Sequence, residues 1–307
     1  MPEVSVLLPV RDGARTLALA MVSVLEQSFR DFELLVLDDG SADASPDIAL
    51  GFGDPRVRLL RDGAKRGLAA RLNQGIDAAA GRYIARMDAD DVCFPERFAR
   101  QVARLNCDSS LDLVACRALD FDDSGSITGL RPYRLSHEAL CARPWNGFYL
   151  VHPSWMGHAD WFRKYRYRIP EVVRAEDQEL LLRAYLDSRF AVLDEILLGY
   201  RTGRIALGKI LSQRRCLLAA QIGRFAQRGQ WRYLMLALMA TALKVPRDLL
   251  AAAAGGRRWG DRPGGKVSPE IEKAWIILLQ SLQRRLEELK LPHGQELEGI
   301  PKAPVYL

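Results

Sequence analysis

Residues 67–91, GLAARLNQGIDAAAGRYIARMDADD, hold a helix, a strand and an acidic turn in immediate succession. Leu68, Leu72, Ile76 and Ala79 recur at helical spacing, so Gly67–Ala80 reads as a helix with one apolar face. Tyr83–Met87 (YIARM) reads as a short buried strand, and it breaks into Asp88-Ala89-Asp90-Asp91. Such a unit belongs to an open α/β sheet, in which ligands bind at the C-terminal ends of the strands.

The same unit recurs upstream. Val4–Val10 (VSVLLPV) is a continuous apolar run, as a parallel strand covered on both faces should be. A helix over Thr16–Gln27, a strand over Glu33–Asp38 (ELLVLD), a helix capped by Ser41 and running to Leu50, and a strand over Val57–Leu60 follow. Downstream, Pro95 opens a helix to about Asn106. The pattern then shifts. Strands are expected at Leu111–Phe121, Ile127–Tyr133, Phe190–Leu193 and Ile196–Tyr200, with helices at Ser136–Ala142 and Ala175–Asp187 and an aromatic-dense stretch from Trp145 to Tyr167. From Arg204 the spacing predicts helices over 205–227, 231–254 and 269–291, broken by the Gly-, Arg- and Pro-rich segment 255–269. This implies an α/β fold with a mostly parallel sheet, an α/β region over 1–203 divided near residue 110, a basic helical extension over 204–254, a linker over 255–269, and a last helix and tail over 270–307.

The chain has 307 residues, 49% hydrophobic and 27% charged, which excludes a disordered or collagen-like polypeptide. Its five cysteines are widely spaced and form no C-x-x-C, so free thiols are expected rather than a zinc site or a disulfide scaffold. No secretory signal pattern is read at the N-terminus, and a cytoplasmic location is the expectation. The net charge of +6 is unevenly spread: residues 1–203 carry −4 and residues 204–307 carry +10. A basic appendage points to an anionic partner, or else to a solvated helix face. The most apolar run there, Tyr233–Leu243, is too short to span a bilayer, so the expected uses are shallow docking on an anionic membrane surface or packing of Leu234, Leu238 and Leu249 on the preceding region or a second subunit; nucleic acid is not expected.

Chemistry is concentrated where strands end: LPVRDG (8–13), DDGS (38–41), KRGLA (65–69), DADD (88–91) and, opening a later helix, AEDQ (175–178). The first turn has one glycine, so it is not the G-x-G-x-x-G of a dinucleotide site, and no G-x-x-x-x-G-K-[ST] occurs. Diphosphates would then be held by side chains and a metal. An acidic turn alone is commonly just solvated. Here a second one, Asp38-Asp39, ends another strand of the same sheet, and alternating carboxylates suit Mg²⁺ or Mn²⁺.

In this order and spacing, LPVRDG, SVLEQSF, ELLVLDDGSADAS, GLAARLNQGIDAAAGRYIARMDADD and the later AED resemble the family 2 glycosyltransferases of the GT-A fold, in their non-processive bacterial form. The resemblance covers residues 3 to about 200. It implies an inverting transfer from a nucleoside-diphosphate sugar, most often a UDP-sugar, to a hydroxyl of a glycan or lipid-linked acceptor in polysaccharide synthesis. It also implies roles. Pro9 and Val10 line the nucleobase pocket, Asp39 bonds the base, Lys65 or Arg66 approaches base and phosphates, and Asp88 lies nearer the ribose. Asp88 and Asp90 form the D-x-D metal pair, with Asp90 as direct ligand, and Asp177 is the general base. At a helix N-terminus Asp177 is expected to be ionised. Arg11-Asp12 departs from the family pattern, and Arg11 is placed near a phosphate. Glu176, His152 and Trp155, with Trp145 and Tyr149, are acceptor-site candidates or packing beneath that site. The processive Q-x-x-R-W motif is missing, so one sugar per encounter is expected. The competing readings are a catalytically silent nucleotide-binding scaffold and a nucleotidyltransferase.

Overall fold

The computed structural model describes residues 1–169, 174–203, 207–253 and 267–291. The first half alternates as the periodicity predicts: β1 (Val4–Val10), α1 (Ala14–Leu25), β2 (Phe32–Asp38), α2 (Ser45–Gly51), β3 (Val57–Leu60), α3 (Leu68–Ala78) and β4 (Tyr83–Arg86). It continues with β5 (Val92–Cys93), α4 (Arg97–Cys107), β6 (Leu113–Phe121), β7 (Ile127–Leu130), α5 (His137–Cys141), β8 (Met156–His158), α6 (Ala159–Lys164), α7 (Glu176–Ala184) and β9 (Phe190–Arg201). Three long helices follow, α8 (Leu207–Gln227), α9 (Trp231–Ala253) and α10 (Pro269–Leu289).

One mixed sheet runs β3-β2-β1-β4-β8-β6-β9-β5, with β7 paired to the outer end of β6. The pairs β3–β2, β2–β1, β1–β4 and β6–β9 are parallel, and β8 is antiparallel to both of its neighbours. Every residue of β1 and β2 is buried because helices cover both faces. Alternation divides them: Val4, Val6 and Leu8 enter a core with α1, α4 and α10, whereas Leu7 enters one with α3, α6 and α7. The loops that follow β1, β2 and β4 therefore emerge side by side at one edge.

The structure departs from the sequence reading at several points. Phe190–Leu193 and Ile196–Tyr200 are one strand: Leu193 pairs with Cys116 and Ile196 with Arg117, so Asp194 and Glu195 bulge out of the ladder. Ser41 does not cap α2, which starts at Ser45; its hydroxyl instead accepts the Asp12 N–H at 3.0 Å. β5, β8 and α6 are too short to leave a periodic trace.

The late helices are not loose appendages. Trp275 of α10 is 1% exposed, lies 4.9 Å from the Phe121 ring and donates its indole N–H to Gly125 O at 2.8 Å. It fills the space that the missing side chain of Gly199 leaves, since a Cβ there would sit 2.4 Å from the ring. α8 and α9 pack together beside α7, and Tyr233 stacks on Trp145 at 5.2 Å. Of the expected linker 255–269, residues 255–266 lie outside the described residues, as do the tail from 292, Arg204 and the segment 170–173.

Candidate active site

The turn after β4 gathers Asp88, Asp90 and Asp91, whose carboxylate oxygens lie within 4.8 Å of one another. Asp91 is buried: its Oδ1 accepts the Arg201 backbone N–H at 2.8 Å, and its Oδ2 has no hydrogen-bond partner among the described residues. Burial, then the charge of Asp90, pushes its pKa well up. Asp90 sits at the exposed rim; desolvation by the surrounding turn, then the charge of Asp88, raises its pKa to about 6. Three crowded carboxylates, one with an orphaned buried oxygen, are a hard-oxygen set suited to Mg²⁺ or Mn²⁺.

Two buried arginines underpin this turn. Arg86, 3% exposed, places Nη2 at 2.5 Å from Asp88 Oδ1, while Nε and Nη1 have no hydrogen-bond partner among the described residues. Its charge also acts on Glu176, Asp177 and Tyr167, so it links the metal turn to α7. Arg97 donates Nη2 to Arg86 O at 2.7 Å and Nε to Gln101 at 3.1 Å, which fixes the backbone just before the acids.

Helix α7 begins after Ala175, which is held in the left-handed region at φ +65, and opens on Glu176 and Asp177. Burial outweighs the helix dipole here. Desolvation, then the charge of Asp177, raises the Glu176 pKa to about 7, and desolvation raises Asp177 also. Asp177 accepts Gln178 Nε2 at 3.0 Å, and Gln178 Oε1 in turn accepts the Phe148 N–H at 2.8 Å. His152 Nδ1 lies 3.9 Å from Glu176 Oε1, and its Nε2 hydrogen-bonds Tyr167 OH at 2.6 Å. Burial, then the Arg86 charge, holds the His152 pKa well down, so the imidazole is neutral and the contact is not an ion pair. Trp155 is fully buried with its ring 4.6 Å from that of His152, so it packs beneath the site.

The remaining candidates lie along the first two strand ends. Pro9 and Val10 are buried opposite Leu37 and Asp38, and Val10 O accepts the Asp39 N–H. Asp39 Oδ1 accepts the backbone N–H of Arg66 at 2.6 Å and of Gly67 at 3.0 Å, and Arg71 Nε at 3.2 Å. Fully buried Arg71 also grips Asp62 Oδ1 at 2.6 Å, so the loop 62–67 folds over Asp39. Lys65 and the Arg66 side chain are exposed at its rim. Arg11 is half-exposed and 3.8 Å from Asp12, whose φ of +50 is held by its bond from Ala42 N. Arg71, Arg86, Asp91, Tyr167 and Arg201 were not singled out from the sequence. Arg86 carried a signal, a lone charge inside the apolar strand YIARM.

Comparison with known proteins agrees with this architecture. The profile described as Glycosyl transferase family 2 matches residues 5–166. The chain is 38% identical over 133 residues to the putative glycosyltransferase EpsE of Bacillus subtilis, covering 42% of this chain and 48% of EpsE. It is 37% identical over 143 residues to the succinoglycan biosynthesis protein ExoO of Rhizobium meliloti, covering 47% and 39%. It thus spans about half, or less, of the length of these relatives. Among solved structures it resembles S. aureus TarS 1–349 in complex with UDP-GlcNAc (TM-score 0.59, 18% identity, 94% of this chain and 84% of that one). It likewise resembles the mannosyltransferase PcManGT from Pyrobaculum calidifontis in complex with GDP-Man and Mn²⁺ (TM-score 0.58, 17% identity, 94% and 82%). The fold is GT-A, and the chain belongs to glycosyl transferase family 2.

Proposed function

We propose that the protein is a metal-dependent, inverting hexosyltransferase that moves one sugar from a nucleoside-diphosphate donor to a hydroxyl of a cell-surface glycan precursor. The observation that carries this reading is the turn after β4, where Asp88, Asp90 and Asp91 bring carboxylate oxygens within 4.8 Å of one another and buried Arg86 contacts Asp88.

The donor lies over the ends of β1, β2 and β4. Pro9 and Val10 present backbone to the nucleobase. Asp39 accepts an N–H from the base, which suits the imide of uracil and favours a UDP-sugar. Arg11, Lys65 and Arg66 supply positive charge near the phosphates, and Asp88 approaches the ribose. A divalent ion held by Asp88 and Asp90 would supply neutralisation of the charge developing on the leaving diphosphate. Asp177 takes the proton of the attacking hydroxyl, and a single displacement inverts the anomeric carbon. Glu176 and His152 orient the acceptor.

The acceptor is read as lipid-linked, and the enzyme as peripheral on the inner face of a membrane. No helix of the described residues is long and apolar enough to cross a bilayer. Yet α9 exposes Trp231, Met235, Met239, Leu243 and Leu250, flanked by exposed Lys209, Arg215, Arg232 and Arg247. That combination suits an in-plane helix on an anionic leaflet, where each cation contributes about 1 kcal/mol.

A donor screen with the purified protein, Mn²⁺ and a polyprenyl-linked sugar tests this. Release of a nucleoside diphosphate and an anomerically inverted product is expected. Release of inorganic pyrophosphate instead would indicate nucleotidyl transfer, and no release with any donor would leave a silent scaffold.

A further inference from the structure

Gln178, next after Asp177 on α7, divides its side-chain amide between two partners. Its Oε1 accepts the Phe148 N–H at 2.8 Å and its Nε2 donates to Phe148 O at 3.3 Å, so the amide pairs with both backbone groups of one residue. The same Nε2 donates to Asp177 Oδ2 at 3.0 Å. An amide carries its two donor hydrogens on nitrogen and its acceptor pairs on oxygen. Reversed, it would set oxygen against both Asp177 and Phe148 O, and nitrogen against the Phe148 N–H. The orientation is therefore fixed by the network, and with it the donor presented to Asp177. The close approach depends on Gly147, which has φ +95 and at which a Cβ would lie 3.0 Å from Gln178 Oε1.

The segment that grips Gln178 is itself held by the late helices. Phe148 is 6% exposed, with its ring 5.6 Å from that of Tyr185 at the end of α7. Just before it, Pro144 O accepts Gln221 Nε2 of α8 at 3.0 Å, and Asn146 Oδ1 accepts Lys244 Nζ of α9 at 2.5 Å. Trp145 stacks on Tyr233 of α9 at 5.2 Å. Helices α8 and α9 thus reach the Asp177 carboxylate through one short segment and one side chain.

We propose that Gln178 is the positioning residue of the base: it holds Asp177 Oδ2 so that Oδ1 meets the acceptor hydroxyl, and it ties that carboxylate to the segment that α8 and α9 brace. This rests on the reading of Asp177 as the base. In the transfer, the acceptor oxygen bonds the anomeric carbon, the bond to the leaving diphosphate breaks, and the acceptor proton goes to Oδ1. A donated N–H favours the carboxylate over the acid, so it opposes the burial that raises the Asp177 pKa. The other titratable or charged groups interacting with that carboxylate are Glu176 beside it on α7, Arg86 of β4, and Tyr167.

The test labels the full chain with ¹³C at its aspartate carboxyls and identifies the Asp177 signal as the one lost in Asp177→Asn. Its pH titration needs no donor, metal or acceptor. Gln178→Met, which keeps the length of the side chain and removes the donor, should raise the Asp177 pKa by about one pH unit. Gln221→Met, a neutral change on α8, should raise it in the same direction by less. A Gln178→Met titration equal to wild type would overturn the assignment, and an unmoved titration in Gln221→Met would overturn the bracing. The base reading is judged separately: it fails if Asp177→Asn transfers sugar at the wild-type rate, whatever the titration shows.

Discussion

Arg86 Nη2 lies 2.5 Å from Asp88 Oδ1, and Nε and Nη1 of that guanidinium are closed off from solvent and find no hydrogen-bond partner among the described residues. A buried cation in that state is costly unless surrounding anions compensate it. Here the compensation comes from the acidic turn after β4 on one side and from Glu176 and Asp177 of α7 on the other.

Arg86→Gln should therefore lower apparent metal affinity and turnover together, by about 10–100-fold, as residues that position ligands commonly do. Arg86→Lys should restore the charge but not the contact geometry, and recover part of the loss. A Mn²⁺ titration of turnover in the three proteins checks this; unchanged half-saturation in Arg86→Gln would show that the arginine only fills the core.

Asp90→Asn should remove metal-dependent turnover while leaving the thermal midpoint equal or higher. Asp90 stands within 4.8 Å of the Asp88 and Asp91 carboxylates, so deleting its charge relieves like-charge repulsion. A fall in the midpoint accompanying the loss would mean that the turn needs this carboxylate for folding.

The pH dependence follows from Glu176–Asp177. Both folded pKa values lie above ordinary carboxylate values, Glu176 at about 7, so the ionised pair is disfavoured by folding. Base activity should rise with pH through an apparent pKa that belongs to the pair. The sign for stability is opposite: a raised carboxylate pKa contributes stability at pH below the unfolded value, lost as pH climbs through the folded one. Glu176→Gln removes a neighbouring anion and should move the acid limb of kcat/KM to lower pH. A limb left in place would show that the two carboxylates do not interact.

Trp275→Ala should destabilise the catalytic domain by about 3–5 kcal/mol, because a fully buried indole leaves a cavity. Gly199→Ala should also destabilise it, since the new methyl collides with the same ring. Gly199 pairs with Val92, the residue after Asp91, so both variants should also weaken Mn²⁺ dependence. Urea unfolding and a Mn²⁺ titration measure the two effects; native-like stability in Trp275→Ala would detach α10 from the fold.

The alternation of the first four strands with their helices was legible because β1 and β2 are continuous apolar runs and α3 has a clean apolar face. The acidic turns stood out as candidates because two of them, at 38–39 and 88–91, end strands of the same sheet, whereas a single such turn is commonly just solvated. Arg86 and Asp91 were not, because their significance is burial, and burial of a polar group depends on distant chain: Arg201 for Asp91, and α7 for Arg86. Trp155 illustrates the converse. An aromatic in an acceptor stretch has the composition of a sugar platform, and only its complete burial places it underneath. The helix dipole was the right local argument for Asp177, but desolvation by the surrounding fold is larger. The docking of α10 was equally hidden, since nothing local to Trp275 names Gly199 and Phe121 as its partners.

The most direct test of the account is the single-turnover rate of Asp177→Asn at saturating donor and Mn²⁺, with donor affinity measured on the same samples. The account predicts a rate lower by about 10²–10⁴-fold with donor affinity unchanged, because the carboxylate acts on the acceptor proton. A rate equal to the wild type, or a loss that follows weakened donor binding, would contradict it.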